Sequence, residues 1–265
     1  MIGYLGPVNS FTHQALLAYN PSSTAKEYPS IRSLFVALRN HEVDTIVVPI
    51  ENSTEGSVTT TIDALYDEDV YITAELYLPV QLHLYGNNID SVTHVMSHPQ
   101  ALAQCRNRLD ALLGSYIEVP TASTAQAIEQ LSSDNDSVAA IASTVFEDRV
   151  PVLQRYVQDI ENNETRFIVL SNKVTDVENA SKTSLLFLPQ EDRPGLLYDL
   201  LHEFAIRKLN LTRIESRRDK VRPEVFTFYL DVMSTLKDPL LQEIFTILEV
   251  KKFGIKVLGS YQSAK

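Results

Sequence analysis

From residue 183 to the end of the chain the hydrophobic period changes from strand-like to helix-like and back twice. That succession constrains the fold more than any other feature. Residues 183–188 read as a short strand. Over 194–208, Leu197, Leu200, Leu201 and Phe204 recur at i, i+3, i+4 and i+7, the stripe of a helix with one buried face and Pro194 in its first turn. Residues 211–216 and 225–232 read as strands, the second rich in β-branched and aromatic side chains. Pro239 opens a second helix carrying Leu240, Ile244 and Leu248, and 254–258 closes as a strand. The order β-α-β-β-α-β is that of a ferredoxin-like domain.

Charge marks where that domain begins. Residues 1–180 hold 9 Lys/Arg and 23 Asp/Glu, net −14, whereas 181–265 hold 14 and 11, net +3. The change falls in the polar, non-periodic stretch 171–182, which reads as a linker. The 265 residues suit two domains. A net charge of −11 argues against nucleic-acid binding, which relies on lysines and arginines to neutralise phosphates. No apolar run approaches the ~20 residues that span a bilayer, and the start MIGYLGP lacks the features of an export signal. The single cysteine, Cys105, makes neither an internal disulfide nor a cysteine zinc cage. The expectation is a cytoplasmic protein with no membrane partner.

The first 180 residues alternate short β runs with helices, as in 45–50 followed by 58–65, and predict an α/β layer structure with mostly parallel strands. The length allows one sheet or two lobes. Glu27-Tyr28-Pro29-Ser30 followed by Ser33 is echoed 91 residues later by Glu118-Val119-Pro120-Thr121 followed by Thr124, each before a helix. Coincidence and a repeated lobe both produce such a match. From Leu76 onward the apolar Leu78, Val80, Leu82 and Leu84 share one side, predicting a long strand that crosses between lobes; 167–170 would carry the chain back. Ligands favour the cleft between lobes joined in this way.

Neither GxxxxGK[ST] nor GxGxxG occurs, so nucleotide binding has no support of that kind. His94 and His98 have helical spacing, but Pro99 interrupts it, and both read as structural or exposed histidines rather than metal ligands. The candidate chemistry lies in polar clusters at the ends of β runs. Ser10 and Phe11 follow the first strand and open a helix, a seat for a carboxylate as well as an ordinary cap. Asn52, Ser53 and Thr54 follow the strand at 46–48, with more polar groups than a cap requires. Ser97 precedes a helix containing Gln104. Thr165, Arg166 and Phe167 open the second crossing, where a guanidinium fork suits a carboxylate.

Taken in order, GPVNSFTHQA at 6–15, PIENSTEGSV at 49–58, SHPQALAQC at 97–105 and TRF at 165–167, followed by PGLLYDLL and NLTRIESR, resemble prephenate dehydratases with a C-terminal ACT regulatory domain. The resemblance covers essentially the whole chain. It implies an α/β fold: a two-lobed catalytic domain like type II periplasmic binding proteins over 1–175, with one lobe at about 1–78 and 165–175 and the other at about 79–164. A ferredoxin-like βαββαβ ACT domain would occupy 182–265. Because the chain starts directly at the first dehydratase strand, the monofunctional form is expected.

The implied reaction is the decarboxylating dehydration of prephenate to phenylpyruvate in phenylalanine biosynthesis, without metal or cofactor. Thr165 would be the essential donor or orienter at the departing hydroxyl and Arg166 the charge anchor. Ser10, Phe11, Asn52, Ser53, Thr54, Ser97, Gln104 and Phe167 would contact substrate. The ACT resemblance implies feedback inhibition by L-phenylalanine bound through Asp192, Gly195, Leu196, Asn210, Leu211, Thr212, Glu215 and Ser216, and a homodimer or tetramer. The sequence departs from the family at Arg218 and Leu196, which puts the effector response in question. Asn9 replaces a glycine in the first motif, and asparagine tolerates the positive φ such a turn requires. Competing readings are an arogenate dehydratase and a non-catalytic amino-acid sensor; the intact Thr165-Arg166-Phe167 speaks against the latter.

Overall fold

A computed structural model describes residues 1–175 and 177–265; Asp176, within the expected linker, lies outside the described residues. The chain runs β1 (Ile2–Leu5), α1 (Phe11–Tyr19), β2 (Ala25–Tyr28), α2 (Ile31–Arg39), β3 (Thr45–Asn52), β4 (Gly56–Ser57), α3 (Thr59–Asp67) and β5 (Tyr71–Pro79). There follow β6 (Leu82–Tyr85), β7 (His94–Ser97), α4 (Pro99–Leu113), β8 (Ile117–Pro120), α5 (Thr124–Glu129), β9 (Val138–Ser143), β10 (Val152–Gln154) and β11 (Glu164–Ser171). The remainder is β12 (Lys182–Pro189), α6 (Leu196–Ile206), β13 (Leu211–Arg218), β14 (Phe226–Val232), α7 (Pro239–Val250) and β15 (Phe253–Tyr261).

These strands form three sheets. The first has the order β2-β1-β3-β11-β5 with β4 paired to β3, the second β10-β6-β9-β7-β8, and the third β13-β14-β12-β15. Read from its β8 edge, the second sheet repeats the first. In each, a β-α-β-α-β run lays two parallel neighbours beside its first strand, and its third strand takes an antiparallel partner. The sequence echo lies at the matching β2–α2 and β8–α5 junctions. Its helices are capped by Ser30, in a reciprocal capping box with Ser33, and by Ser123, so the echoed Thr121 sits just ahead of its cap.

The expected single crossing strand is two strands in different sheets, broken at residues 80 and 81. Pro79 ends β5, as a residue without an N–H does readily at a strand end. The Val80 N–H then bonds the Asn163 carbonyl at 2.8 Å and the Leu82 N–H the Gln158 side-chain oxygen at 3.0 Å. Outgoing and returning segments are therefore tied side by side where the chain passes between sheets. β11 returns as an interior strand of the first sheet, antiparallel to both β3 and β5.

In the third sheet, Leu185, Phe187, Phe228 and Leu230 meet Leu200, Phe204, Leu241 and Ile244 of α6 and α7 in one buried core. Period-two alternation sends Leu186, Tyr229, Leu258 and Tyr261 the other way, into the core of the first sheet beside Ile72, Ile168 and Leu170. The approach is so close at Gly259 that an added Cβ would lie 2.2 Å from the Ile72 carbonyl oxygen. Pro194 does not open α6 as expected from its position. Gly195 takes the left-handed conformation at φ 80° and becomes the N-cap, so the helix begins at Leu196.

Asp219, just past β13, ties the third sheet to α3. Its carboxylate accepts from the Val221 and Arg222 amides, at 2.8 and 2.9 Å, and from the Tyr66 hydroxyl at 2.9 Å. These bonds, the Arg222 amide foremost, hold its carboxyl at about 2, below the ordinary value of 3.8. A carboxyl depressed by folding stabilises the fold above its unfolded pKa, and the contribution disappears as pH falls through the folded value. We therefore expect Asp219→Asn to lower stability by a constant amount between pH 5 and 7 and the gap to wild type to close from about pH 4 towards 2, as read by urea unfolding.

Candidate active site

The cleft between the first two sheets holds a cavity of about 480 Å³. Thr165 and Phe167, on one side of β11 by strand alternation, form part of its wall. The Asn52 side chain donates to Thr165 Oγ1 at 3.0 Å and is itself held by the Asn163 Oδ1 at 2.9 Å. Its own oxygen accepts from the Thr54 and Glu55 amides at 3.0 and 3.1 Å, which fixes the tight turn leading to Gly56. A hydroxyl that accepts from an amide keeps its own proton to give, and here that proton is free to face the cavity.

Four helices begin at this cavity, α5 among them through its N-cap Ser123 and its first residue Thr124. Ser10, Phe11 and Thr12 at the start of α1, Val58, Thr59 and Thr60 at α3, and Gln100 and Ala101 at α4 all border it. The α3 N-cap, Val58, offers no side-chain bond to the first amides, and while the Thr61 N–H bonds the Val58 carbonyl at 3.0 Å, those of Thr59 and Thr60 remain available to a ligand. Ser10 does cap α1, accepting from His13 N–H at 3.2 Å while donating to the Leu5 carbonyl at 2.9 Å. Asn9 adopts φ 67° in the turn before it, as its residue type allows. Among the described residues bordering the cavity there is neither lysine nor arginine. Helix N-termini and amides therefore supply its positive potential, an arrangement that suits an anion.

The apolar part of the wall is formed by Phe11, Val80, Leu82, Ala101 and Phe167. The cleft is also tied across its mouth: Gln104 on α4 donates to Glu55 Oε1 at 3.0 Å, and Gln14 on α1 donates to Ser143 Oγ on β9 at 3.0 Å. Among the described residues, no group of three or more His, Cys, Asp or Glu is arranged to hold a metal ion, and no helix is long and apolar enough to cross a membrane.

Of the residues expected at substrate, Ser10, Phe11, Asn52, Gln104, Thr165 and Phe167 border this one cavity. Four do not. Ser97 is fully buried and donates to the Ile141 carbonyl at 2.7 Å, bracing β7 against β9. Ser53 faces Asn163 at 3.2 Å, and Thr54 contributes its amide to the Asn52 turn. Arg166 points away, because adjacent strand residues face opposite sides. It is 3% exposed and donates to Glu75 Oε2 at 2.8 Å, to Tyr261 at 2.9 Å and to Asp231. Burial opposes its charge, but Asp231 and its neighbours outweigh that and raise its pKa further. The charge anchor expected of Arg166 is thus a link between β11 and the third sheet.

Sequence reasoning also missed residues that do border the cavity. Glu55 and Ser57 lie inside the PIENSTEGSV motif. His98, set aside as structural, caps α4 by accepting from Gln100 N–H through Nδ1 at 3.3 Å. In the neutral ring that leaves the proton on Nε2. Only the helix-entry position of the SHPQ segment signalled this.

A second cavity, of about 330 Å³, lies on the third sheet and is bordered by Asp192, Gly195, Leu196 and Ser216 together with Arg193, Tyr198, Phe226 and Phe228. Asn210, Leu211, Thr212 and Glu215, expected with them, are elsewhere. Along β13, Arg213, Glu215 and Arg217 face the first sheet's layer, whereas Ser216 faces the cavity. Leu211 packs on the core under α6 and α7, Thr212 is exposed, and the Asn210 carbonyl is taken by Met233 N–H. Arg218 stacks its guanidinium 5.0 Å from the centre of the Phe226 ring at the cavity edge.

The family model described as prephenate dehydratase matches residues 2–175. The chain is 36% identical to a bifunctional chorismate mutase/prephenate dehydratase of Aquifex aeolicus, over 99% of this chain and 74% of that protein. It is 38% identical to a prephenate dehydratase of Methanocaldococcus jannaschii, over 88% and 85% respectively. The crystal structure of prephenate dehydratase in complex with L-Phe from Arthrobacter aurescens superposes with a TM-score of 0.88 at 30% identity, covering 99% of this chain and 90% of that one. With the ordered motifs around one dipole-lined cleft, these likenesses establish that the chain belongs to the prephenate dehydratase family.

Proposed function

We propose that the interlobe cavity is where this chain performs the family's reaction, and that Thr165 is its central catalytic residue. Prephenate loses its ring carboxylate as carbon dioxide while the electron pair of the breaking C–C bond enters the ring and expels the hydroxyl at the opposite carbon. One proton converts the departing hydroxide to water, and phenylpyruvate remains. The site must therefore supply a proton at the hydroxyl, hold the pyruvyl carboxylate, and avoid stabilising the carboxylate that leaves. The Asn52–Thr165 hydrogen bond at 3.0 Å carries the reading, because it turns the threonine hydroxyl into a fixed donor facing the cavity. The amides opening α1 and α3 suit the pyruvyl carboxylate, and Phe11, Val80, Leu82 and Phe167 form an apolar wall against which a carboxylate is poorly solvated.

In this reading residues 1–175 are the catalytic unit, in lobes of about 1–78 with 165–175 and 79–164. Residues 182–265 are a regulatory ACT unit that takes L-phenylalanine at the cavity beside Gly195. Tyr198, Phe226 and Phe228 there offer aromatic surface, and Asp192 offers a carboxylate to an ammonium group. A homodimer or tetramer in the cytoplasm completes the proposal; the exposed edge strand β13 and Ile214, 44% exposed on it, support pairing between copies. Steady-state turnover of prephenate with increasing L-phenylalanine tests the regulatory part: we expect dose-dependent inhibition, weakened by Ser216→Trp. Turnover indifferent to L-phenylalanine would reject it.

A further inference from the structure

The segment bordering the substrate cavity at residues 50–58 is gripped from outside by the third sheet. β3 carries one extra residue opposite β11, since Glu51 pairs with Arg166 and Pro49 with Phe167, leaving Ile50 unpaired. The Ile50 carbonyl accepts instead from Val58 N–H at 2.9 Å and from Arg213 Nη2 at 3.3 Å. The same Nη2 donates to Ser57 Oγ at 2.7 Å, and the Ser57 hydroxyl in turn donates a hydrogen bond to Glu215 Oε2 at 2.7 Å. Arg213 Nε lies 3.7 Å from Glu51 Oε2, and its guanidinium sits 5.1 Å from the centre of the Tyr229 ring.

Arg213 is 8% exposed, and its Nη1 is buried without a hydrogen-bond partner. Its grip on the 50–58 segment therefore rests on Nη2, with Nε facing Glu51. The geometry points to Arg213 as a positioning residue for the dehydratase reaction: from the third sheet it holds Ile50 and Ser57 so that the α3 amides face substrate. Because β13 presents Ser216 to the other cavity, a ligand there acts on the cleft through this side chain. The inference rests on the cleft being the dehydratase site.

The test uses the full chain, prephenate kinetics and L-phenylalanine binding by calorimetry. For Arg213→Met we expect KM for prephenate to rise about tenfold with kcat changed less than about threefold, the loss of one charged hydrogen bond to a binding segment. Arg213→Lys should restore most of the KM. Saturating L-phenylalanine should inhibit the variant far less completely than the wild type, although its Kd changes by less than about twofold. Ser57→Ala, which removes only an oxygen and guards against a misfolded arginine variant, should raise KM in the same direction. The double variant should be no worse than Arg213→Met alone, because both break one link. Unchanged KM in both single variants, or additive effects in the double one, would overturn the role of Arg213. Turnover by the unaltered chain keeps that failure separate from failure of the dehydratase reading.

Discussion

Thr165→Val is expected to lower kcat by roughly 10²–10⁴-fold, the range for losing a positioned proton donor, while the protein stays folded and still binds prephenate. Valine matches threonine in shape, so the wall of the cavity survives and only the hydroxyl goes. The substitution removes one acceptor of the Asn52 amide, but that group keeps Asn163 Oδ1 at 2.9 Å and the Glu164 carbonyl at 3.3 Å, so the turn at 52–56 stays in place. Thr165→Ser keeps the hydroxyl and should retain most of the activity. An essentially unchanged kcat in Thr165→Val, measured with substrate binding in the same preparation, would remove threonine from the chemistry and shift attention to His98 and Glu55, the titratable side chains bordering the cavity among the described residues.

The largest effect on stability is expected at the neighbouring residue. Arg166→Leu leaves the buried carboxylates of Glu75 and Asp231 without their shared guanidinium, and breaking one partner out of a buried ionic cluster costs about 3–5 kcal/mol. Lys182 still reaches Glu75 at 2.7 Å, and the Ala264 amide bonds it at 3.0 Å, so Glu75 keeps partial compensation. Asp231 keeps the Ser184 hydroxyl at 2.5 Å. Against a total stability of about 5–15 kcal/mol this is a large share, and it should appear as a lower urea midpoint. Arg166→Lys should recover part of it, since lysine restores charge but not the planar fork that meets two carboxylates and a tyrosine. A loss under about 1 kcal/mol for Arg166→Leu would show that the cluster contributes little.

These two neighbours illustrate what the sequence made legible and what it did not. Motif order pointed to the cleft and took Thr165, Arg166 and Phe167 as one cluster there. Strand alternation separates Arg166 from its two neighbours and sends it to the opposite face; what hid its destination was that Glu75, Asp231 and Tyr261 are remote in sequence and meet it only when the third sheet packs. Ser97 failed for a related reason, because a hydroxyl at a strand end serves a backbone carbonyl as readily as a ligand. In β13 a continuous motif was read as one surface, although period two divides Glu215 from Ser216. The elements of the last third were readable to within a few residues, because apolar stripes set them. Their boundaries shifted where a single conformation intervened, as at left-handed Gly195.

The reading of the cleft faces its most direct measurement in the assay of phenylpyruvate and carbon dioxide formed from prephenate by the purified chain, beside Thr165→Val at the same concentration. Equal amounts of the two products from the wild type, and almost none from the variant, are the predicted result. No product from the wild type, or the same rate from both proteins, would contradict it.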